Sequence, residues 1–303
     1  MKTKQMQNKH LEHPEDCILT GDLSVLDWFY ETDSTISVKM DGAPAIVWGT
    51  NPANGKFFVG TKSVFNKVKI KIAHSHKEIA SLYQGKVADI LHVCFNHLPR
   101  TKSIIQGDFI GLGGQRSYTP NTLTYKFPEI VEQVIIVAPH TIYGDGDDLR
   151  NVSASPLMSK LVSTKDCLFV QPEVSLNPNR EDLEDVCKFA KQMSTLCEFV
   201  SDKKATQIKK EINSCIREQK VVDECEIAEK CDCDANLIRL WKLVKSIKDD
   251  LFLFIYEEDE IECYLHDEQS FHEGYVISNK YGTLKVVDRE VFSHANFTIA
   301  KNW

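Results

Sequence analysis

Lys39-Met40-Asp41-Gly42 lies where one strand-like run, TISV, hands over to the next, AIVW. A lysine at a strand end can be held inside a cleft, where desolvation and neighbouring cations lower the pKa of its ammonium and make it a nucleophile. A solvated lysine before a turn presents the same four residues, so the spacing takes its meaning from the charged residues further along the chain. A second basic strand end, FFVGTKS, carries Lys62. QGDFIG then places a carboxylate, Asp108, on a strand; HEGYVIS places Glu273 immediately before a glycine; TLKVVD sets Lys285 inside a strand.

The elements that must position these groups alternate between strand and helix patterns. Residues 18–31, ILTGDLSVLDWFYE, space apolar side chains as an amphipathic helix does. Residues 35–64 read as two strands and a hairpin turn, because β-branched and aromatic residues flank the turn-forming NPANGK. One helical stripe over 76–98, including Ile79, Leu82, Tyr83, Val87, Ile90, Leu91 and Val93, should pack on the sheet. The runs at 104–111, 121–128 and 134–143 add three strands, for a sheet of about five. Between residues 179 and 250 there is neither Pro nor Gly, and apolar residues recur at heptad-like spacing. That pattern predicts a helical insertion at 178–250, of about three helices, whose apolar stripes could form a small core of its own. Strand patterns return at 251–256, 272–279 and 282–292. The fold class expected is α+β, one domain built from residues 1–177 and 251–303 and interrupted by the insertion.

Composition narrows the class further. The chain has 303 residues, 42% of them apolar and 26% charged, as soluble globular proteins do. Its 36 Lys+Arg against 44 Asp+Glu give a net charge of −8, so a polyanionic partner must be held by a local patch. No apolar run approaches the roughly 18 residues of a membrane-spanning helix, and the amino terminus lacks the apolar stretch of a signal peptide. A cytoplasmic protein with no membrane partner is expected. The ten cysteines are scattered and read as reduced; the tightest group, Cys225, Cys231 and Cys233, has no nearby His to complete a zinc site.

The order of the charged strand residues resembles a known superfamily. Lys39-x-Asp-Gly, Gly-Asp108-Phe, Glu273-Gly-Tyr-Val and Leu-Lys285-Val are similar to motifs I, III, IV and V of the covalent nucleotidyltransferases, the ATP-dependent DNA and RNA ligases and the mRNA capping enzymes. Longer strings resemble a ligase-like group of bacteriophage proteins: HLEHPED (10–16), KMDGAPAIVWG (39–49), GKFFVGTKSVFNK (55–67), YTPNTLTY (118–125) and LKVVDREVFSHANF (284–297). For a viral protein the compartment is the host cytoplasm. The likeness covers about residues 1–145 and 251–303. It implies a nucleotidyltransferase (ATP-grasp-like ligase adenylation) domain, with antiparallel sheets flanked by helices around an ATP cleft.

The resemblance also implies roles. Lys39, in one motif with Asp41 and Gly42, would attack the α-phosphate of ATP and hold AMP as a phosphoramidate. Glu273 would bind a divalent metal, Mg²⁺ or Mn²⁺. Lys285 would neutralise the α-phosphate and help to depress the Lys39 pKa. Asp108, where the family more often has Glu, would accept a hydrogen bond from a ribose hydroxyl. Lys62 would contact phosphate of ATP or of a nucleic-acid end, with Lys56, Lys67, Lys69 and Lys71 forming a local basic patch. The family's base-stacking aromatic has two candidate places, Tyr125 on one strand or His140 and Tyr143 on another.

Three departures from the family pattern stand out. Pro44 occupies the place of a ribose-contacting Arg. Val287 replaces the second lysine of motif V, with Arg289 the nearest basic substitute. The 18 residues after Lys285 are too few for the OB-fold that DNA ligases and capping enzymes place there, so no C-terminal OB-fold is expected. RNA ligases more often dispense with that domain. The function expected is therefore a polynucleotide ligase acting on nucleic-acid ends, RNA in preference to DNA, through a lysyl-AMP intermediate. A guanylyltransferase or other nucleotidyltransferase of this fold would use the same Lys39, Glu273 and Lys285. A module that binds nucleotide or nucleic-acid ends without chemistry is the third reading. In each, the insertion would sit beside the cleft as a substrate-gripping or partner-binding unit.

Overall fold

The computed structural model describes residues 11–144 and 146–292; the ends of the HLEHPED and LKVVDREVFSHANF strings, and of the two domain segments, lie outside the described residues. In chain order, a short helix Pro14–Cys17 (α1), a 3-10 turn and Ser24–Trp28 (α2) precede Thr35–Lys39 (β1), Ala45–Thr50 (β2) and Phe57–Gly60 (β3). His76–Leu82 (α3) and Gly85–His97 (α4) follow. Next come Ile104–Leu112 (β4), Ser117–Tyr118 (β5), Thr124–Lys126 (β6), Ile135–Gly144 (β7), Ser153–Pro156 (β8), Cys167–Phe169 (β9) and Val174–Leu176 (β10). Four helices, Glu181–Ser194 (α5), Asp202–Arg217 (α6), Glu224–Cys231 (α7) and Ala235–Leu251 (α8), lead to the last strands. These are Ile255–Glu257 (β11), Glu262–Leu265 (β12), Glu268–Ser270 (β13), Gly274–Asn279 (β14) and Gly282–Val287 (β15).

Glycine overrides two of the helical stripes. Gly21 takes a left-handed φ of +80° and its N–H closes the 3-10 turn on Ile18 O (2.9 Å), so residues 18–31 break into short pieces. Gly85, at φ +59°, divides the 76–98 stripe into α3 and α4; Tyr83 between them turns inward and its hydroxyl donates to Lys71 O (2.6 Å). The NPANGK turn joins β2 to β3, with Gly55 supplying a left-handed residue and Asn51 N–H donating to Lys56 O (2.9 Å).

The chain is α+β, but among the described residues its strands form four sheets rather than one of about five strands. The largest has six strands, in the order β3-β2-β4-β7-β8 with β9 parallel to β7; among the described residues every other strand pairing is antiparallel. A three-stranded sheet has the order β1-β14-β15, a four-stranded one β13-β12-β6-β5, and β10 pairs with β11. Residues 40–44 thus carry the chain from one sheet to another, and Lys39 stands at that crossing. Strand alternation gives β4 two characters: Ile105 and Phe109 join Trp48, Ile79 and Leu91 in the cluster beneath α3 and α4, while Gln106 and Asp108 face the other way. Of the strand expected at 251–256 only the end is extended, because residues 251–254 finish α8 and a 3-10 turn.

The insertion has four helices, not three, and no core of its own. Leu183, Ile208, Ile212, Leu237 and Trp241 belong to the same hydrophobic cluster as Leu26, Val38, Met40, Ile277 and Val286. Side chains of Ser201, Asp223 and Asp234 accept backbone N–H groups at the starts of α6, α7 and α8. An apolar stripe tells which face of a helix is buried but not what buries it; here α8 packs on α1 and α5 on α2. Cys231 is buried in this core whereas Cys225 on the same helix is exposed, so the two thiols have different surroundings. Among the described residues no helix is long and apolar enough to cross a membrane.

Candidate active site

A cleft of about 290 Å³ opens between the three-stranded and six-stranded sheets, near the lower bound for small-ligand sites. On β14, Val276 lies opposite Ser37 of β1 and Lys285 of β15, and Lys39 is two residues on from Ser37. Alternation therefore sends Ser37, Lys39, Val276 and Lys285 to one sheet face, and all four line the cleft. From the six-stranded sheet come Gln106 and Asp108 of β4 and His140 of β7, with His140 Nε2 3.7 Å from Asp108 Oδ2. Lys62, exposed at the start of the 3-10 turn Lys62–Phe65, borders it too. Six residues singled out in the sequence, Lys39, Lys62, Asp108, His140, Tyr143 and Lys285, thus share one cavity.

Glu273 forms an ion pair with Lys39, its side chain only 12% exposed. Gly274 lies opposite Lys39 in register with φ +154°, and a β carbon there would fall 2.2 Å from Val286 O. Glycine is what lets β14 lie this close to β15 while delivering Glu273 to Lys39.

Asp41 and Gly42, expected with Lys39 at the nucleotide site, are not among the residues that line the cleft and instead build its frame. The buried Asp41 carboxylate accepts hydrogen bonds from Asn121 Nδ2 (2.7 Å) and from the backbone N–H of Thr122 (2.8 Å) and Leu123 (3.1 Å). Its lone pairs hold the 121–125 segment in place. A β carbon on Gly42 would lie 2.7 Å from Asp108 Cβ and 2.9 Å from Phe109 O. Tyr125 is corrected as well. Its ring is wholly buried beside His272, at 5.9 Å between centroids, and its hydroxyl accepts the Asp41 N–H, so it cannot stack on a base. Tyr143 is also buried, donating from its hydroxyl to Gln106 Oε1 (2.7 Å) with its ring against Phe65. Of the candidate rings, His140 and Tyr143 border the cleft, and His140 is the more exposed of the two.

Burial works against the Lys39 ammonium, but the Glu273 carboxylate beside it, reinforced by Asp108 and Asp41, outweighs burial and raises its pKa above the ordinary lysine value. The lowered pKa expected for Lys39 belongs instead to Lys285, which burial and the charges of Lys39 and Arg289 push down. Arg289 does not replace the second lysine of motif V. It is 2% exposed and its guanidinium is engaged by Glu15, Asp16 and Asn213. Lys56, Lys67 and Lys69 are exposed away from the cleft lining, and Lys71 lies over the Tyr83 ring, 5.2 Å from its centroid.

Two contributors escaped the sequence reading. Gln106, buried on the cleft floor, sits two residues before Asp108 on the same strand face, and that period of two was a signal available in QGDF. Leu11 also lines the cleft, and Glu12 O accepts the Lys285 N–H (3.1 Å). Nothing in the local pattern announced that edge pairing. For a metal, the donors are hard oxygens: Glu273 touches Lys39 and the charge of Asp108 also reaches it. Among the described residues no three or more His, Cys, Asp or Glu side chains form a cage. This set suits a Mg²⁺-like ion that takes few carboxylates and fills its shell with phosphate oxygens and water.

A family model described as a family of unknown function (DUF6267) matches residues 8–233 and 226–301. No curated protein and no solved structure matches the chain.

Proposed function

We propose that the chain, which belongs to the family of unknown function DUF6267, is a covalent nucleotidyltransferase that joins polynucleotide ends through a lysyl-AMP intermediate. The observation that supports this most is the meeting of Lys39, Lys62, Asp108, His140 and Lys285, from five separate segments, in one cleft beside Glu273. The neutral Lys39 amine, formed when the ammonium gives one proton to solvent, attacks the α-phosphorus of ATP; the P–N bond forms as the bond to the pyrophosphate oxygen breaks, pyrophosphate leaves with that electron pair, and a second proton passes from Nζ to solvent. Lys39 is a nucleophile only when its pairing with Glu273 loosens, because that pairing holds the proton on. Lys285, without an ion pair among the described residues, meets the charge that grows on the α-phosphate. Asp108 receives a ribose hydroxyl, His140 stacks on the base, and Lys62 engages the outer phosphates or the nucleic-acid end. A Mg²⁺ or Mn²⁺ ion held by Glu273 would supply Lewis-acid neutralisation of phosphate charge.

The Lys39–Glu273 pair also favours a second reading, a module that binds nucleotide or nucleic-acid ends without chemistry, since a lysine kept protonated does not attack. Incubation with Mg²⁺ and each α-labelled nucleoside triphosphate, followed by denaturation, separates the readings. Label from ATP that survives alkali, disappears in acid and is absent from Lys39→Ala is the expected result. Label from GTP alone would identify a guanylyltransferase, and no label from any triphosphate would leave the binding module. RNA ends are the first acceptor to test, then nicked DNA.

A further inference from the structure

Buried charge connects the inserted helices to Lys285. Glu15 and Asp16 of α1 are 0% and 7% exposed, Lys248 of α8 is 0% and Arg289, beyond β15, is 2%. Arg289 Nη1 donates to Glu15 Oε1 and to Asp16 Oδ1, each at 3.0 Å. Lys248 Nζ donates to the same Glu15 oxygen (2.9 Å), Trp241 Nε1 to Asp16 Oδ1 (3.0 Å), and Arg289 Nη2 to Asn213 Oδ1 (2.6 Å). Asn213, Trp241 and Lys248 belong to the insertion; the other three residues do not. At the near end of the same segment, Glu12 O accepts the Lys285 N–H at 3.1 Å. Residues 12–16 and 285–289 are thus tied at both ends, Lys285 to Glu12 and Arg289 to Glu15 and Asp16.

Stability alone does not account for this arrangement. Withdrawing two carboxylates and two cations from water costs more than their attraction commonly returns, and packed apolar residues of similar volume often do as well or better. What the charges add is direction, because a guanidinium forked between two carboxylates has few alternative placements.

We propose that Lys248 and Arg289 are positioning residues: by clamping Glu15 and Asp16, the insertion holds residues 12–16 against β15 and so sets where Lys285 stands in the cleft. The consequence for catalysis rests on the nucleotidyltransferase reading, in which Lys285 meets the α-phosphate. The insertion is then part of the catalytic frame, not an accessory grip.

The test is Glu15→Met/Lys248→Met in the full chain, which removes one anion and one cation together. Its thermal midpoint should equal or exceed that of the wild type. Hydrogen exchange at the Lys285 amide should speed up by about tenfold or more. Labelling of Lys39 by ATP should slow by about tenfold to a hundredfold with KM for ATP nearly unchanged, as a displacement on the order of 1 Å does. Lys248→Arg should restore both. A folded double variant with unchanged exchange and unchanged labelling overturns the proposal. Should the double variant not fold, Asn213→Leu decides: faster exchange at Lys285 supports the clamp, and unchanged exchange overturns it. Wild-type protein that takes no label from any triphosphate overturns the nucleotidyltransferase reading, and the exchange measurement then judges the clamp by itself.

Discussion

Gly42 rests directly on Asp108: the turn after Lys39 is packed so tightly against β4 that a β carbon at 42 would stand 2.7 Å from Asp108 Cβ. The Lys39-x-Asp-Gly spacing is therefore a packing requirement as well as a chemical one. Gly42→Ala should cost about 1–3 kcal/mol of stability, as overpacking does, and weaken ATP binding by displacing Asp108. Urea unfolding and calorimetry measure the two effects, and a variant normal in both would show that the contact has slack.

The two aspartates near Lys39 should separate cleanly. Asp41→Ala leaves the buried N–H groups of Thr122 and Leu123 without their acceptor, at about 1–3 kcal/mol each. Asp108→Ala, at the cleft, should change stability by no more than about 0.5 kcal/mol while weakening nucleotide binding. Reversal of that order in paired unfolding and binding measurements would refute the division between frame and cleft.

Because Lys39 carries a raised pKa, its unprotonated fraction grows about tenfold per pH unit throughout the range below that value. The initial rate of ATP labelling should rise correspondingly from pH 7 to 9. A flat profile would contradict a Lys39 that must shed its proton for the step measured. Glu273→Gln and Lys285→Met should each slow labelling by about 10²–10³-fold in folded protein.

His13 makes stability depend on pH. Burial first, then the charges of Arg289, Lys285, Lys248 and Lys39, push its pKa far below the ordinary value of 6.5. The unfolded chain binds a proton that the folded chain refuses, so stability falls as pH drops below about 6.5, by up to about 1.4 kcal/mol per unit. Denaturant midpoints between pH 7.5 and 5.5 report the slope. His13→Gln should remove that contribution; an undiminished slope would contradict it.

Replacing residues 181–251 with a Gly/Ser linker should prevent folding. It strips the shared apolar cluster and leaves Glu15, Asp16 and Arg289 without Lys248, Trp241 and Asn213. Breaking a buried ion pair from one side costs about 3–5 kcal/mol, a large part of an ordinary domain's 5–15 kcal/mol. A soluble deletion protein with a cooperative unfolding transition would show that the sheets hold together without the helices.

Local spacing was enough to place some features and not others. From sequence alone, strand alternation puts Lys39 at a strand end and Lys285 within a strand, a glycine follows Glu273, and a Pro-free, Gly-free run marks the inserted helices. Such features depend on φ/ψ preferences and on periods of 2 and 3.6 residues, which neighbouring residues decide among themselves. Only the tertiary structure decided that Tyr125 is core and His140 borders the cleft, that four helices share the domain's apolar cluster, and that Arg289 is spent on Glu15 and Asp16. It also decided that the Lys39 pKa is raised while Lys285 is the lysine pushed down. The reason is common to all of these: burial and electrostatic environment are set by whichever groups arrive from elsewhere in the chain. The carboxylate that fixes the state of Lys39 is 234 residues away in sequence, so no local pattern carries its sign.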